Sequence, residues 1–394
     1  MREKFKKIEK FNIKNVNVDY LFCGLSNFNL NSSVWVLYLG FKGMSLGQVG
    51  LLEGIFHITS FLFEVPTGAM ADLMGRKRVL LLGRIFSILS TILLLTSNNF
   101  FLFAISFILS AASYNLNSGS EEALVYDSMK EAGKDGDYIT VNGRLNFLME
   151  VSQGVASFLG GVLSDISYTL TYSFQMLKDI LSFLAGTLFE EPKCYEKEEI
   201  LGVKEHAIVC YGILKNDRAV RLVLLYYPVV FSFHTLTFFY GQQHFANLGM
   251  SKTFIALLML ASGVVCSISA LCAKTFDRIF KEKAKYIATF IIAVSIFGFG
   301  FENNISSILC FLILNFANSL LYPISSNALN ELIPSEQRAT IISVNSMLFS
   351  MVMVVIFPIG GFLGDIYGLA KIFQASGILL ITYMILFIKK GKKR

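Results

Sequence analysis

Apolar stretches of about twenty residues recur along the whole chain, each flanked by short polar or basic runs. A membrane-crossing helix needs about 20 mostly apolar residues. Twelve segments meet that length: 20–41, 46–70, 79–97, 99–126, 141–164, 168–189, 221–246, 253–273, 285–301, 304–330, 339–363 and 369–388. The longest hydrophilic stretch runs from Glu190 to Val220, is rich in Glu and Lys, and has little apolar periodicity. It divides the chain into an N-terminal six-helix half (1–189), a cytoplasmic linker (190–220) and a C-terminal six-helix half (221–394). The expected fold is an all-α integral membrane protein: twelve transmembrane helices in two pseudo-symmetric six-helix bundles.

The halves resemble each other in sequence. Gly160-Gly161-Val162-Leu163-Ser164-Asp165-Ile166 matches Gly360-Gly361-Phe362-Leu363-Gly364-Asp365-Ile366. Thr140-Val141-Asn142-Gly143 aligns less closely with Ser343-Val344-Asn345-Ser346, and Asp72 with its basic run is echoed by Asp277 with Arg278. Three matches in one order at nearly one offset indicate an internal repeat. A parallel repeat of two six-helix halves is one transporter plan, with the substrate site near the midplane between them.

Composition agrees. Hydrophobic residues make up 54% of the chain and charged residues 16%, against roughly 25% charged in a soluble domain. Such a chain cannot cover itself with polar surface, so most of its exterior must face lipid. With the amino terminus inside, 29 of the 34 Lys and Arg residues fall on the inner segments, while Lys42, Lys252 and Lys371 fall outside. That bias places both termini in the cytoplasm, in a multi-pass protein of the cell (plasma) membrane. It also accounts for the net charge of +6 without nucleic acid. The basic opening stretch reads as a cytoplasmic leader to a retained first helix. The six cysteines are scattered, with no Cys-x-x-Cys pair or zinc spacing, so no metal or cofactor is expected.

Polar residues inside the apolar stretches carry the candidate chemistry. Glu53, His57 and Glu64 stand at i, i+4 and i+11, within about 40° on a helix of 3.6 residues per turn. Intramembrane carboxylates are costly and usually functional, and a Glu–His pair one turn apart can share a proton near neutral pH. The competing reading puts Glu53 and His57 in water at the outer interface. Tyr114, Asn117, Ser118 and Glu121 form one stripe on helix four, with Glu122 beside it. Glu121 is the first choice for a proton-carrying or cation-binding carboxylate, with a wet vestibule as the bland alternative. Asp127 and Arg144 read as a structural pair. Lys178 and Asp179, inside helix six, have no clear sequence-level explanation.

The segment Gly68-Ala-Met-Ala-Asp72-Leu-Met-Gly75-Arg76-Lys77-Arg78 closely resembles the signature loop of the major facilitator superfamily, with Leu73 in place of the usual basic residue after the Asp. Helix count, central linker and repeat extend the resemblance over the whole chain. It implies that Asp72 meets helix eleven, near Ala339–Ile341, and holds the cytoplasmic side closed. It also implies that helices one, four, seven and ten line the cavity. Those helices offer Asn27 and Asn31; Tyr114 and Asn117; Tyr227, His234 and Tyr240; and Asn315, Asn318, Tyr322 and Asn327. Amide and phenol rows of this kind bind a polar or amphipathic solute; they also glue helices together.

Drug/proton antiporters of the superfamily often carry an Arg in helix four and a Gly-Pro-x-x-Gly-Gly run in helix five. Here helix four has no Arg, and helix five keeps Gly160-Gly161 without the Gly-Pro. The Glu-bearing helix four and short loops still resemble the drug-efflux-like branch. The expected function is secondary active transport by alternating access: proton-coupled efflux of a small amphipathic compound by a monomer in the lipid bilayer. Alternatives are ion-coupled uptake of a sugar or nucleoside, and a non-transporting receptor or scaffold. No Walker loop is present, and an enzyme is not expected.

Overall fold

The computed structural model describes residues 13–192, 218–332 and 338–392. The expected linker therefore lies mostly outside the described residues. The first half comprises α1 (Lys14–Ser26), α2 (Trp35–Phe41), α3 (Leu46–Met74), α4 (Arg76–Thr96), α5 (Phe100–Asn117), α6 (Ser120–Glu131), α7 (Tyr138–Ile166) and α8 (Tyr168–Thr187). The second comprises α9 (Arg218–Asn247), α10 (Lys252–Phe280), α11 (Ala284–Phe299), α12 (Asn304–Leu332), α13 (Arg338–Tyr367) and α14 (Leu369–Lys392). Nine stretches of the described residues are long and apolar enough to cross a membrane, and one of them, Lys252–Phe299, holds two crossings, α10 and α11, whereas Phe100–Glu131 holds α5 and α6 as one broken crossing. Two further crossings fall outside that set: α1–α2, which is broken, and α8, which carries buried charges. Together they make the twelve-helix, two-bundle architecture.

Two expected single helices are broken. The expected segment 20–41 splits into α1 and α2 around Asn27–Val34. The intervening Asn27-Phe28-Asn29-Leu30-Asn31-Ser32-Ser33 is rich in short polar side chains, which compete for backbone hydrogen bonds. The freed backbone finds other partners, as it must inside a bilayer. Leu30 N–H donates to Gln175 Oε1 (3.0 Å), and Gln242 Nε2 donates to the Ser32 carbonyl (3.0 Å). The expected segment 99–126 splits into α5 and α6 at Ser118-Gly119, where Gly119 takes φ +75°. A side chain rarely adopts that conformation, and glycine does so freely.

We call the face where α1 begins the terminal face and the opposite one the distal face. Contacts between the halves run along α3–α13 and α7–α10. The largest buried apolar cluster spans both halves and includes Tyr38, Tyr172, Tyr240, Phe299, Phe357 and Phe373.

Candidate functional site

The duplicated Gly-Gly-x-Leu-x-Asp-Ile segments form the distal closure. Asp365, at the end of α13, accepts from Leu46 N–H (2.9 Å) and Gly47 N–H (2.8 Å) at the start of α3. Its counterpart Asp165, at the end of α7, accepts from Lys252 N–H (3.1 Å) and Thr253 N–H (2.8 Å) at the start of α10. A helix leaves its first N–H groups unpaired and carries positive potential there, so a carboxylate is favoured at that end. Each latch joins one half to the other. The glycines let the backbones meet: a Cβ at Gly361 would stand 2.2 Å from the Leu46 carbonyl oxygen, and one at Gly161 would stand 2.2 Å from Ala256 Cβ. Tyr240, expected in the cavity, instead donates toward the Phe357 (2.9 Å) and Leu46 (3.1 Å) carbonyls beside the α3–α13 latch.

Within the first half lies a cavity of about 160 Å³, lined by Asn31, Trp35, Glu53, Phe56, Phe107 and Ser110 among others, all from α1–α8 and the break between α1 and α2. Trp35 packs edge-on to Phe239 of the other half, with ring centroids 5.4 Å apart. His57 is buried, which overturns its placement in interfacial water. Its Nε2 lies 3.5 Å from Glu53 Oε1, and its Nδ1 lies 3.3 Å from Ser350 Oγ on α13. The Glu53–His57 pair therefore exists and reaches across the halves. Tyr114 and Tyr322, from opposite halves, lie within electrostatic range of each other and are 62% and 66% exposed. Glu64 lies within electrostatic range of Tyr114.

Other expected cavity residues make contacts within their own half. Asn117 Nδ2 donates to the Ser113 carbonyl (2.6 Å), and the Asn117 amide abuts Gly83 of α4, where a Cβ would come within 2.8 Å of it. Asn27 Nδ2 donates to the Cys23 carbonyl (3.0 Å) at the end of α1. His234 is hydrogen-bonded to Asn315 (3.1 Å) inside the second half. Tyr227 is buried among Tyr226 and Phe231. The Asn318 amide oxygen is buried without a hydrogen-bond partner among the described residues.

At the terminal face, Gly75 separates α3 from α4 with φ +89°. The Glu191 carboxylate caps α4, accepting from Arg76 N–H (2.6 Å) and Lys77 N–H (2.9 Å). Arg76 Nε also donates to Asp127 Oδ2 (2.8 Å), which gives Asp127 a partner in Arg76. Lys77 Nζ donates to the Thr187 carbonyl (2.8 Å), and Arg78 is exposed. Gly68 and Asp72 lie on the last turns of α3. The side chains of Asp72 and of Ala339–Ile341 lie outside the described residues.

Lys178 and Asp179 are an adjacent, buried ion pair (2.7 Å). Asp179 also accepts from Thr91 (2.7 Å) and Ser87 (3.1 Å) on α4, while Lys178 Nζ donates to Asn29 Oδ1 (3.2 Å). The pair thus braces the α1–α2 break against α4. Sequence reasoning singled out these two residues without finding their purpose. It missed Trp35, Ser350 and Asp19 entirely, and read Asp165 and Asp365 as a repeat without a role.

The profile described as Major Facilitator Superfamily matches residues 20–316. Among similar proteins, the MFS-type transporter YxaM of Bacillus subtilis (strain 168) is 23% identical, covering 94% of this chain and 95% of that protein. The quinolone resistance protein NorA of Staphylococcus aureus (strain COL) is 21% identical, with 95% of each chain covered. The crystal structure of the nucleoside transporter NupG superposes with a TM-score of 0.74 at 14% identity, covering 97% of this chain and 100% of that one. A bacterial homologue of the human lysosomal transporter Spinster, inward-facing and occupied, also gives 0.74, at 12% identity and with 96% of each covered. Likenesses at that identity speak for the fold.

Proposed function

Because the chain belongs to the Major Facilitator Superfamily, whose members are membrane transporters, we propose that it exports a small amphipathic compound in exchange for protons. The observation that carries this reading is the cavity wall. Trp35, Phe56 and Phe107 offer flat apolar faces, while Glu53, Asn31 and Ser110 offer a charge and hydrogen-bonding groups in the same space. Aromatic walls with a few placed polar groups suit a solute that is part apolar and part polar. The likeness to a quinolone resistance protein along nearly the whole chain supports export. The Lys and Arg distribution supports cytoplasmic termini, which makes the latched distal side the outside. We place the protein in the plasma membrane as a monomer, with residues 190–220 as the linker between independently moving halves.

The cavity is below the roughly 300 Å³ of a drug-sized site, so loading requires the halves to part on the terminal side. Proton and solute must then bind the two states unequally for exchange to be driven. Purified protein in proteoliposomes, screened against amphipathic cations, sugars and nucleosides with and without a pH gradient, tests this. Gradient-driven movement of an amphipathic compound, with no movement of sugars or nucleosides, is the expected result. Transport restricted to one nutrient would replace export with uptake.

A further inference from the structure

Inside the first bundle, away from the cavity, lies a charged cluster that the proposed transport reading does not yet use. Asp19 of α1 is 1% exposed, and neither carboxyl oxygen has a hydrogen-bond partner among the described residues. One turn along α1, the Cys23 thiol donates to the Leu145 carbonyl (3.8 Å), and Glu121 lies within electrostatic range of both Cys23 and Asp19. Arg84 of α4 lies within electrostatic range of Glu121; it is 7% exposed, and its Nε has no partner among the described residues.

Among the described residues, other titratable groups face the cluster. Tyr138 of α7 stands within range of Asp19, and Glu122 flanks Glu121 on α6. On α8, Asp179 and Lys178 face Arg84. Asp179 already holds Lys178, Ser87 and Thr91. Arg84 feels Asp179 first and Glu121 second, and among the described residues it is the cation that acts on Glu121.

An ionised carboxylate with no donor in a dry interior costs several kcal/mol. Two neighbouring carboxylates resist ionising together, and their protons belong to the pair. Arg84 carries one fixed positive charge, enough to balance one carboxylate and leave the second to be neutralised. A metal ion is a poor occupant, because it would need several oxygens and would meet Arg84. A proton needs one oxygen.

We propose that Asp19 and Glu121 hold a single exchangeable proton between them, with Arg84 as counter-cation, and that this is the coupling site of the transporter. The last clause rests on the exchange reading above. The break at Gly119 frees α6, which carries Glu121, to move independently of the cavity-lining α5. Displacement of α6 from α1 separates the carboxylates and alters their hold on the proton.

Dicyclohexylcarbodiimide adds to protonated carboxyl groups in apolar surroundings. Mapping its adducts on the full-length protein by mass spectrometry between pH 5 and 9 needs no transported solute, so it stands apart from the export assay. Labelling of Asp19 or Glu121 that rises as pH falls is expected. In Glu121→Gln the like charge is gone, Asp19 ionises more readily, and its labelling midpoint moves to lower pH by about one unit. Absence of labelling at both residues, or an unmoved midpoint in Glu121→Gln, overturns the shared site. Accumulation of ethidium driven by a pH gradient, in vesicles where the wild type shows it, tests the coupling role. Asp19→Asn is expected to lose it, and wild-type accumulation in that variant removes the coupling role.

Discussion

Lys178 and Asp179 show what a buried charge requires. Each is nearly inaccessible, and each is satisfied by the other and by hydroxyl or amide groups on α4 and the α1–α2 break. Removing one partner strands the other, at a cost of about 3–5 kcal/mol. Lys178→Met is therefore expected to lower the thermal unfolding midpoint in detergent markedly. The double replacement Lys178→Met, Asp179→Leu is expected to recover part of the loss, because no lone charge remains. Melting followed by size-exclusion chromatography would show both. Glu53 is different: it borders the cavity and meets His57 rather than a permanent cation. Glu53→Gln is expected to weaken binding of an amphipathic cation about tenfold, roughly 1.4 kcal/mol, with little change for a neutral analogue of the same shape. Equal losses for both probes, measured by calorimetry, would mean that Glu53 supplies structure rather than charge recognition.

The helix ends hold the distal closure. α3 and α10 each begin with a serine cap, Ser45 and Ser251, and each receives a second carboxylate cap from the opposite half. The serines bind within their own helix and survive opening; the aspartates do not. Charge-assisted bonds of this kind contribute about 1.5–3 kcal/mol each. The double variant Asp165→Asn, Asp365→Asn is expected to shift the population toward the distal-open state at least several-fold. Labelling of a cysteine introduced at Val49, which is buried on α3 beside the latch, with a membrane-impermeant maleimide in intact cells would report it. Unchanged labelling would mean that packing alone holds the closure. Gly361→Val is expected to act in the same direction, since its Cβ would overlap the Leu46 carbonyl. The same serine–aspartate geometry at both ends explains why the Gly-Gly-x-Leu-x-Asp-Ile repeat is the strongest match between the halves.

At the scale of the molecule, both latches lie on the distal side, while Tyr114 and Tyr322 of opposite halves stay exposed, as the proposed alternating access expects of one of its states. The signature loop should stabilise the opposite end. Asp72→Asn is expected to slow transport several-fold while membrane insertion is unchanged, as measured by initial rates normalised to protein in proteoliposomes; wild-type rates would discard the role inferred from resemblance. Much of this architecture follows from composition acting locally. A run of apolar residues must leave water wherever it sits, so helix number, the repeat and the basic bias were legible in the chain. The two helix breaks were half legible, since Asn27–Ser33 and Ser118-Gly119 are visibly rich in turn-forming residues, yet their apolar flanks outweigh them in any window long enough to find a span. The purpose of individual charges was not legible. Asp19 sits just before the first predicted span and reads as an ordinary polar flank. Asp165 and Asp365 read as part of a repeat without a role, and Asp127 as a partner of Arg144. What a carboxylate does depends on which donors stand within about 3 Å, and those donors come from helices up to 319 positions away. Hydrophobicity is a property of a segment and fixes where it lies; pairing is a property of two segments and exists only once the chain has brought them together.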